Sequence, residues 1–453
     1  MTFPETIQYL ESFINYEKIL LYPYKESLRL ERINNFLAGI GNPQDSLRCL
    51  HIAGTKGKGS TCAFITYILR EAGYRVGLYT SPHLSDFRER IRVLSHKPQA
   101  TSHKPPIEFE GMISEDELTD LVERLRPAIE KYNQKSKYGP LSFFEVYTSL
   151  AFIYFKENKV DFAVLETGLG GRLDATNVVN PLVCAITPIS YEHTQKLGNT
   201  LTEIAREKTG IIKSHRSEVT GHRLIVISAP QEDEAMKVVR KRSIEVNAKL
   251  FEVGKDIRYK KTDRGFEVKG AFGIYPNLSI RLLGEHQIIN ASVAIGVVEA
   301  LRDYDIEVGI DALRNGLYNT LWPGRCEVVS RNPLIVLDGA QNVASARVLK
   351  QAIEQNFKYQ RLFLVLGISQ DKDILGICKE LDDLADAVIL TRANNPRATE
   401  PAELAKYFTA KPVRLANNVR EAKKESLDLA KDEDLILVTG SLFVVGDFRD
   451  DKV

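Results

Sequence analysis

The chain has 453 residues, 43% of them hydrophobic and 27% charged, with 61 lysines and arginines against 60 aspartates and glutamates. That length exceeds what one hydrophobic core usually supports, so two domains, or one large domain with an appendage, are expected. A charge balance near zero with no clustered basic stripe argues against a nucleic-acid partner, and no apolar run approaches the ~20 residues of a bilayer-spanning helix, so no membrane partner is expected.

The N-terminus, Met1-Thr2-Phe3-Pro4-Glu5, lacks a basic segment followed by an apolar core, so no secretory signal is read there. The first strand candidate is Leu50-His51-Ile52-Ala53. It runs into Gly54-Thr55-Lys56-Gly57-Lys58-Gly59-Ser60, and helical spacing follows over 61–72. Glycines let the backbone curl so that successive N–H groups point inward, and the following helix adds unpaired N–H groups and the positive end of its dipole. Lys58 offers a mobile charge for the β- and γ-phosphates, and Ser60 or Thr61 a hydroxyl for phosphate or Mg²⁺. The strict G-x-x-x-x-G-K-[ST] pattern is not met, because Ser60 stands where lysine is required counting from Gly54. A glycine-rich turn that merely joins strand to helix is the alternative.

A second strand candidate covers 75–81, and the stretch 95–106 repeats Ser-His-Lys-Pro around His96 and His103, which reads as a polar surface loop. Further strands are expected at 161–166 and 182–187. After the first of these comes Glu166-Thr167-Gly168-Leu169-Gly170-Gly171-Arg172-Leu173-Asp174, which fails as a dinucleotide fingerprint because Leu173 occupies the third glycine position. Its useful feature is Glu166, a carboxylate at a strand's carboxyl end, where open α/β sheets bind ligands and where Mg²⁺ would find a hard oxygen. A helix cap is the other reading of that glutamate. The rhythm restarts after residue 330, with strands at 333–338, 361–367, 387–391 and 434–440 and helices at 344–356 and 401–408. Such alternation predicts mostly parallel sheets with helices on both faces. The joint is expected near Trp322-Pro323-Gly324-Arg325, dividing the chain into 1–322 and 323–453. The five cysteines, Cys49, Cys62, Cys184, Cys326 and Cys378, are scattered without a C-x-x-C pair, so buried free thiols in a reducing cytoplasm are expected.

Several segments, taken in order, resemble the folylpolyglutamate synthase and dihydrofolate synthase family within the Mur ligase superfamily. They are Gly41-Asn42-Pro43-Gln44, the loop Ala53 to Ser60, Tyr79-Thr80-Ser81-Pro82-His83-Leu84, Glu89-Arg90-Ile91 and Ser142-Phe143-Phe144-Glu145. Glu166 to Asn177, Glu192-His193-Thr194, Leu197-Gly198-Asn199-Thr200, Glu207-Lys208-Thr209-Gly210-Ile211 and Gly284-Glu285-His286-Gln287 with Asn290 come next. Trp322 to Glu327, Asp338-Gly339-Ala340-Gln341-Asn342 and Thr439-Gly440-Ser441-Leu442 complete the series.

The resemblance implies an α/β fold: a P-loop-containing, mostly parallel ATPase domain like the Mur ligase central domain, plus a smaller C-terminal Rossmann-like domain. It implies an ADP-forming ligase that joins L-glutamate to the carboxyl group of dihydropteroate, a reduced folate, or both, through an acyl phosphate. By the same analogy Gly54, Thr55, Lys56, Gly57, Lys58, Gly59, Ser60 and Thr61 cradle ATP, and Lys58 grips its phosphates. Ser81, Glu166 and His193 ligate Mg²⁺. Lys208 matches a lysine that is carbamylated in the superfamily and then binds a second Mg²⁺; a monovalent cation such as K⁺ is a further candidate. Lys58, His193 and Lys208 are thus the candidate catalytic residues. Asn290, Arg325 and Asp338 match positions that hold the base, phosphates and ribose, with Gln341 beside them. Read bare, His193 is as well explained as a satisfied structural histidine, Arg325 as a surface ion-pair partner and Asp338 as a cap.

The segment from Pro82 to Arg90 resembles a loop near the folate, with Phe144 and Glu145 as neighbours, and Ser441 and Arg392 are candidates to meet the incoming glutamate. The chain departs from the family at Gln341, where histidine is usual; glutamine donates a hydrogen bond but carries no titrating proton. Glu192 replaces an aspartate, and Lys56 stands where many members have asparagine. A monomer is expected. Two rivals stand beside this reading. A cell-wall Mur ligase is opposed by Leu169-Gly170-Gly171-Arg172-Leu173-Asp174-Ala175-Thr176-Asn177. A catalytically silent ATP-binding regulatory protein, suggested by Gln341, is opposed by the joint retention of Lys58, Glu166, His193 and Lys208.

Overall fold

The computed structural model describes residues 1–19, 21–95, 109–214 and 223–450, so the stretch carrying His96 and His103 lies outside the described residues. A seven-stranded sheet is built from β1 (Cys49–Ala53), β2 (Val76–Tyr79), β3 (Ile91–Leu94), β4 (Phe162–Glu166), β5 (Pro181–Ile186), β6 (Ile225–Ser228) and β7 (Lys249–Glu252). Its order is β3-β2-β4-β1-β5-β6-β7, parallel throughout except for the β2–β3 pair. The central strands are continuous apolar runs because helices cover both faces of a parallel sheet. Alternate side chains feed the two cores: Phe162 and Val164 join Leu50, Phe64 and Ile68 on one side, and Ala163 and Leu165 join Tyr79, Phe143 and Tyr147 on the other.

The helix Lys58–Glu71 begins three residues earlier than its apolar spacing predicts and buries every residue from Ser60 to Leu69. It packs against helices Glu285–Glu299 and Ile310–Asn319. At Gly316 an added Cβ would lie 2.3 Å from the Cα of Ile68, so glycine is what permits that approach. A three-stranded antiparallel sheet, β8 (Arg258–Thr262), β9 (Gly265–Lys269) and β10 (Ile274–Leu278), comes between the first large sheet and the second in chain order. The sequence pattern does not announce it, because β8 is mostly exposed and rich in lysine rather than apolar.

The second large sheet contains β11 (Glu327–Arg331), β12 (Leu334–Leu337), β13 (Leu362–Leu366), β14 (Ala387–Leu390), β15 (Val413–Leu415) and β16 (Leu435–Thr439). Its order is β11-β12-β16-β13-β14-β15, parallel apart from β11. The four strands expected here are β12, β13, β14 and β16, within a residue or two of their expected ends. The helix expected over 401–408 is a single α-turn, Pro401–Leu404, continued by a 3₁₀ turn Ala405–Tyr407. All five cysteines are buried and free. Among the described residues no helix is long and apolar enough to cross a membrane.

Candidate active site

β1 ends at Ala53 in the middle of the first sheet, and β4 brings Glu166 level with Ile52 on the same carboxyl edge. The glycine loop leaves from that edge. Its first half is anchored: the N–H groups of Thr55 and Lys56 donate to the Pro188 carbonyl at 3.0 and 3.2 Å, and Ser190 N–H donates to Thr55 Oγ1 at 3.1 Å. Gly57, at φ +80°, caps the helix, and an added Cβ would meet Asn290 Oδ1 at 2.2 Å. The first-turn N–H groups of Lys58, Gly59 and Ser60 have no intrahelical acceptor and border a cavity of about 360 Å³.

That cavity gathers most of the residues singled out in the sequence. Thr55, Lys56, Gly57, Lys58, Gly59, Ser60, Ser81, Glu166, His193 and Asn290 line it from one side, and Arg325, Asp338 and Gln341 from the second sheet. Gly54, Thr61 and Lys208 are not among its lining residues. Lys208 lies beneath the loop, donating from Nζ to the Gly54 carbonyl at 2.7 Å, and Thr61 is wholly buried. The glycine cluster that failed as a dinucleotide fingerprint has a structural task at this point. Asp174 accepts from the N–H groups of Leu169 and Thr176, and Asn177 donates to the carbonyls of Arg172 and Gly210. An added Cβ on Gly171 would sit 2.6 Å from the Lys208 carbonyl. The cluster is therefore clamped against the segment that carries Lys208.

The electrostatics are those of charges held out of water. Burial raises the Glu166 carboxyl above its ordinary value, while Lys58, with Nζ 3.9 Å from Glu166 Oε1, pulls the other way. Ser81 N–H donates to the other Glu166 oxygen at 3.2 Å. Burial also works against ionised Glu192, yet the cations around it, Lys372 foremost, hold the carboxyl below its ordinary value. Burial brings His193 down to about 3, so its imidazole is neutral with a lone pair available. Burial, aided by Lys58, brings Lys208 down to about 7, and burial brings Lys56 to about 8. Asp338 accepts from the N–H groups of Cys326 and Ala340, both at 2.8 Å, so it ties the Arg325 turn to β12. Arg325 donates to the Gly324 carbonyl at 2.9 Å and runs alongside Gly339.

Among the described residues no three His, Cys, Asp or Glu side chains form a metal cage. The cavity instead offers the Glu166 carboxylate and the neutral His193 imidazole, with the Ser81 hydroxyl lining the same space. So sparse a set suits Mg²⁺, which keeps several waters and takes phosphate oxygens for the rest.

A second cavity, about 170 Å³, adjoins the first and shares Ser81, Pro82, Gly168, His193 and Gln341 with it. Tyr16, Tyr22, Leu30, Phe144 and Phe443 give it apolar walls, and Lys196, Lys372, Arg397 and the exposed Arg29 give it cations. Phe144 lines it, whereas Phe143 is core. Glu145 also borders it but is engaged by Arg32, at 2.8 Å, and by the capping box of helix Phe143–Glu157. Ser441 lines this cavity; Arg392 does not, since it pairs with Glu400 beside a smaller neighbouring pocket. A third cavity, about 430 Å³, shares His193, Lys196, Lys372 and Arg397 with the second. His193, in left-handed conformation at φ +52°, lines all three.

The residues that sequence reasoning passed over are Lys372, Arg397 and the N-terminal Tyr16-Glu17. Arg397 pairs with Asp371 at 2.6 Å and donates to the Glu17 carbonyl at 2.7 Å, bridging the C-terminal half to the N-terminal segment. Lys372 follows β13 and Arg397 follows β14 at the ligand-binding edge of a parallel sheet, and that rule alone would have flagged both. Nothing comparable marks Tyr16 or Glu17.

Residues 140–298 match the Mur ligase middle domain, and residues 324–442 match the Mur ligase glutamate ligase domain. The chain is 34% identical over 444 residues to a dihydrofolate synthase/folylpolyglutamate synthase of Bacillus subtilis, covering 93% of this chain and 94% of that one. Among solved structures it is similar to a Mycobacterium tuberculosis folylpolyglutamate synthase complexed with ADP, with a TM-score of 0.86 and 31% identity over 99% of this chain and 97% of that one. It is also similar to an FPGS–AMPPCP–folate complex, with a TM-score of 0.79 and 28% identity over 99% of each chain.

Proposed function

The chain belongs to the folylpolyglutamate synthase/dihydrofolate synthase family, and from that premise we propose that it is an ATP-dependent ligase joining L-glutamate to a pteroate or folate carboxyl group. The observation that carries this reading is the meeting of three cavities at His193, one of them walled by a phosphate loop. Three ligands must converge in such a reaction. An acceptor carboxylate oxygen bonds to the γ-phosphorus as the bond to ADP breaks. The glutamate amine then bonds to the acyl carbon, phosphate leaves, and the amine gives up its proton. Activation is needed because a carboxylate has no adequate leaving group of its own. The protein's main task is to stabilise charge on the transferring phosphoryl group.

In this assignment Lys58 and the first-turn N–H groups hold the phosphates, and Gly54 and Thr61 shape the loop. Asn290 meets the base, Arg325 the phosphates and Asp338 the ribose. Ser81, Glu166 and His193 would hold Mg²⁺, which supplies charge neutralisation at the phosphoryl oxygens when bound. Lys208, down to about 7 through burial, carries a substantial neutral fraction near neutral pH; a neutral amine is the form that takes up CO₂ to become the anionic carbamate, a candidate ligand for a second Mg²⁺. Gln341, where the two smaller cavities join, donates a hydrogen bond and takes no part in proton transfer. K⁺ is a further candidate ion. Lys372, Arg397 and Ser441 face the incoming glutamate. We place the domain boundary between residues 322 and 323, which accords with helix Ile310–Asn319 packing on helix Lys58–Glu71 and β11 opening the second sheet. A cytoplasmic monomer acting on small molecules, with no nucleic-acid partner, completes the reading.

The test is direct. Purified protein is incubated with Mg-ATP, labelled glutamate and either dihydropteroate or tetrahydrofolate, and both ADP and labelled product are measured. Glutamate incorporation with at least one acceptor is expected; incorporation with neither overturns the folate reading. A Lys208→Ala variant that keeps full activity removes the carbamate assignment.

A further inference from the structure

Four cations border the second cavity, which the proposed function leaves for the acceptor: Arg29 is solvent-exposed, and two of the other three are paired with carboxylates. Lys372 Nζ lies 3.5 Å from Glu192 and 3.9 Å from Asp371. Arg397 pairs with Asp371 at 2.6 Å and with the Glu17 carbonyl at 2.7 Å. Lys196 differs. It is half-buried, its ammonium stands 4.2 Å from the centre of the Tyr22 ring, and among the described residues no carboxylate lies within ion-pairing distance of it. Asp371 acts on it from farther off, but that carboxylate already serves Arg397 and Lys372. A cation withdrawn from water without a partner is costly unless a ligand supplies the opposite charge.

We propose that Lys196 receives a substrate carboxylate other than the one activated for ligation, either that of a glutamyl tail on the acceptor or that of the incoming glutamate. The inference rests on the glutamate-ligase reading above and deepens it. Lys196 lines the acceptor cavity and the third cavity but not the nucleotide cavity, so a phosphate is not its partner. Activation belongs at the junction of the nucleotide and acceptor cavities, which Ser81, His193 and Gln341 share and Lys196 does not. The carboxylate it meets is therefore a spectator one. An acceptor such as dihydropteroate carries a single carboxylate, the reacting one, whereas a glutamylated folate carries a second. Lys196 thus separates acceptors by the presence of a tail, or fixes the amino acid that is added. The Tyr22 ring presents an electron-rich face to the ammonium.

The experiment measures equilibrium binding to the full chain in Mg²⁺ and a non-hydrolysable ATP analogue. Dihydropteroate, tetrahydrofolate and L-glutamate are each titrated into wild type, Lys196→Met and Lys196→Arg. Methionine keeps an unbranched stem over Tyr22 and removes the charge. It is expected to weaken tetrahydrofolate or glutamate about tenfold, as loss of a charge-assisted hydrogen bond does, with dihydropteroate affected much less. Arginine should restore most of the loss. A loss on tetrahydrofolate assigns the acceptor tail, and a loss on glutamate alone assigns the amino acid. Equal weakening of all three acids, or of none, overturns the proposal. Wild type that binds these acids yet releases no ADP with any acceptor would sink the ligase reading while the Lys196 assignment stood.

Discussion

The molecule presents two parallel sheets with ligand-facing carboxyl edges, and the two edges are furnished differently. On the first, β1 and β4 end in a glycine loop, a buried glutamate and, beneath the loop, a buried lysine. On the second, β12 ends in Asp338, whose oxygens accept from the N–H groups of Cys326 and Ala340, with Arg325 beside it. All eight histidines lie before residue 323 and none after it. The first edge combines a glycine loop with a buried glutamate and lysines; the second presents an aspartate fixed by backbone N–H groups together with Arg325, Lys372 and Arg397. Similar α/β architecture does not make the two sheets chemically equivalent, because function sits in the side chains grafted onto the strand ends.

If the first edge does the chemistry and the second holds substrates, damage should scale accordingly. Lys58→Ala is expected to lower glutamate-dependent ADP release by about 10³-fold, the size of a lost charge stabiliser at a transferring group; a drop below tenfold would erase the contrast between the edges. Arg325→Ala should instead raise the KM for ATP by about thirtyfold, with kcat changed less, as expected for a lost charged hydrogen bond to bound substrate.

Acid sensitivity sharpens the same contrast. Thr176 Oγ1 gives its proton to Asp174, so His51 Nε2, 2.8 Å away, is the donor to it; Nδ1 is buried without a partner among the described residues, and burial brings the ring from 6.5 down to about 3. Folded protein therefore keeps His51 neutral where the unfolded chain protonates it. The stabilisation is intact above pH 6.5 and is lost as pH falls toward 3, at about 1.4 kcal/mol per pH unit for that proton. His83, His193 and His286 are depressed in the same direction. In denaturant melts from pH 7 to pH 4.5, His51→Asn should lose one proton's worth of that slope, and an unchanged slope would show that His51 titrates normally. The smallest effect is expected at the seam: Gln341→His should change turnover by no more than about threefold, since both side chains donate a hydrogen bond. A large gain, with a new ionisation near pH 6.5 in the rate profile, would mean that the seam performs proton chemistry after all.

Strands were legible where a continuous apolar run is closed by glycine or a polar residue, as in Leu362–Leu366 and Leu435–Thr439. β6 carries the same signal and went unread, whereas β8 has none, its lysines being exposed on a sheet of marginal burial. The glycine loop was legible as the link from strand to helix, and Glu166 as a strand-end carboxylate. Lys372 and Arg397 had a readable cue in their positions after parallel strands. Lys196 had none, since an uncompensated lysine is defined by where carboxylates are absent.

Local order by itself determined much of this protein: the strand, glycine loop and helix from Cys49 to Glu71, and the alternation that builds two mostly parallel sheets, are set by residues close together in the chain. Tertiary structure alone decided which charges are exposed to solvent and which are withdrawn from it. It set Lys208 under Gly54, made His193 the common wall of three cavities, and left Lys196 on Tyr22 with no carboxylate at ion-pairing distance among the described residues. Burial and pairing are properties of space rather than of spacing, and they set the protonation and affinity of each of these groups.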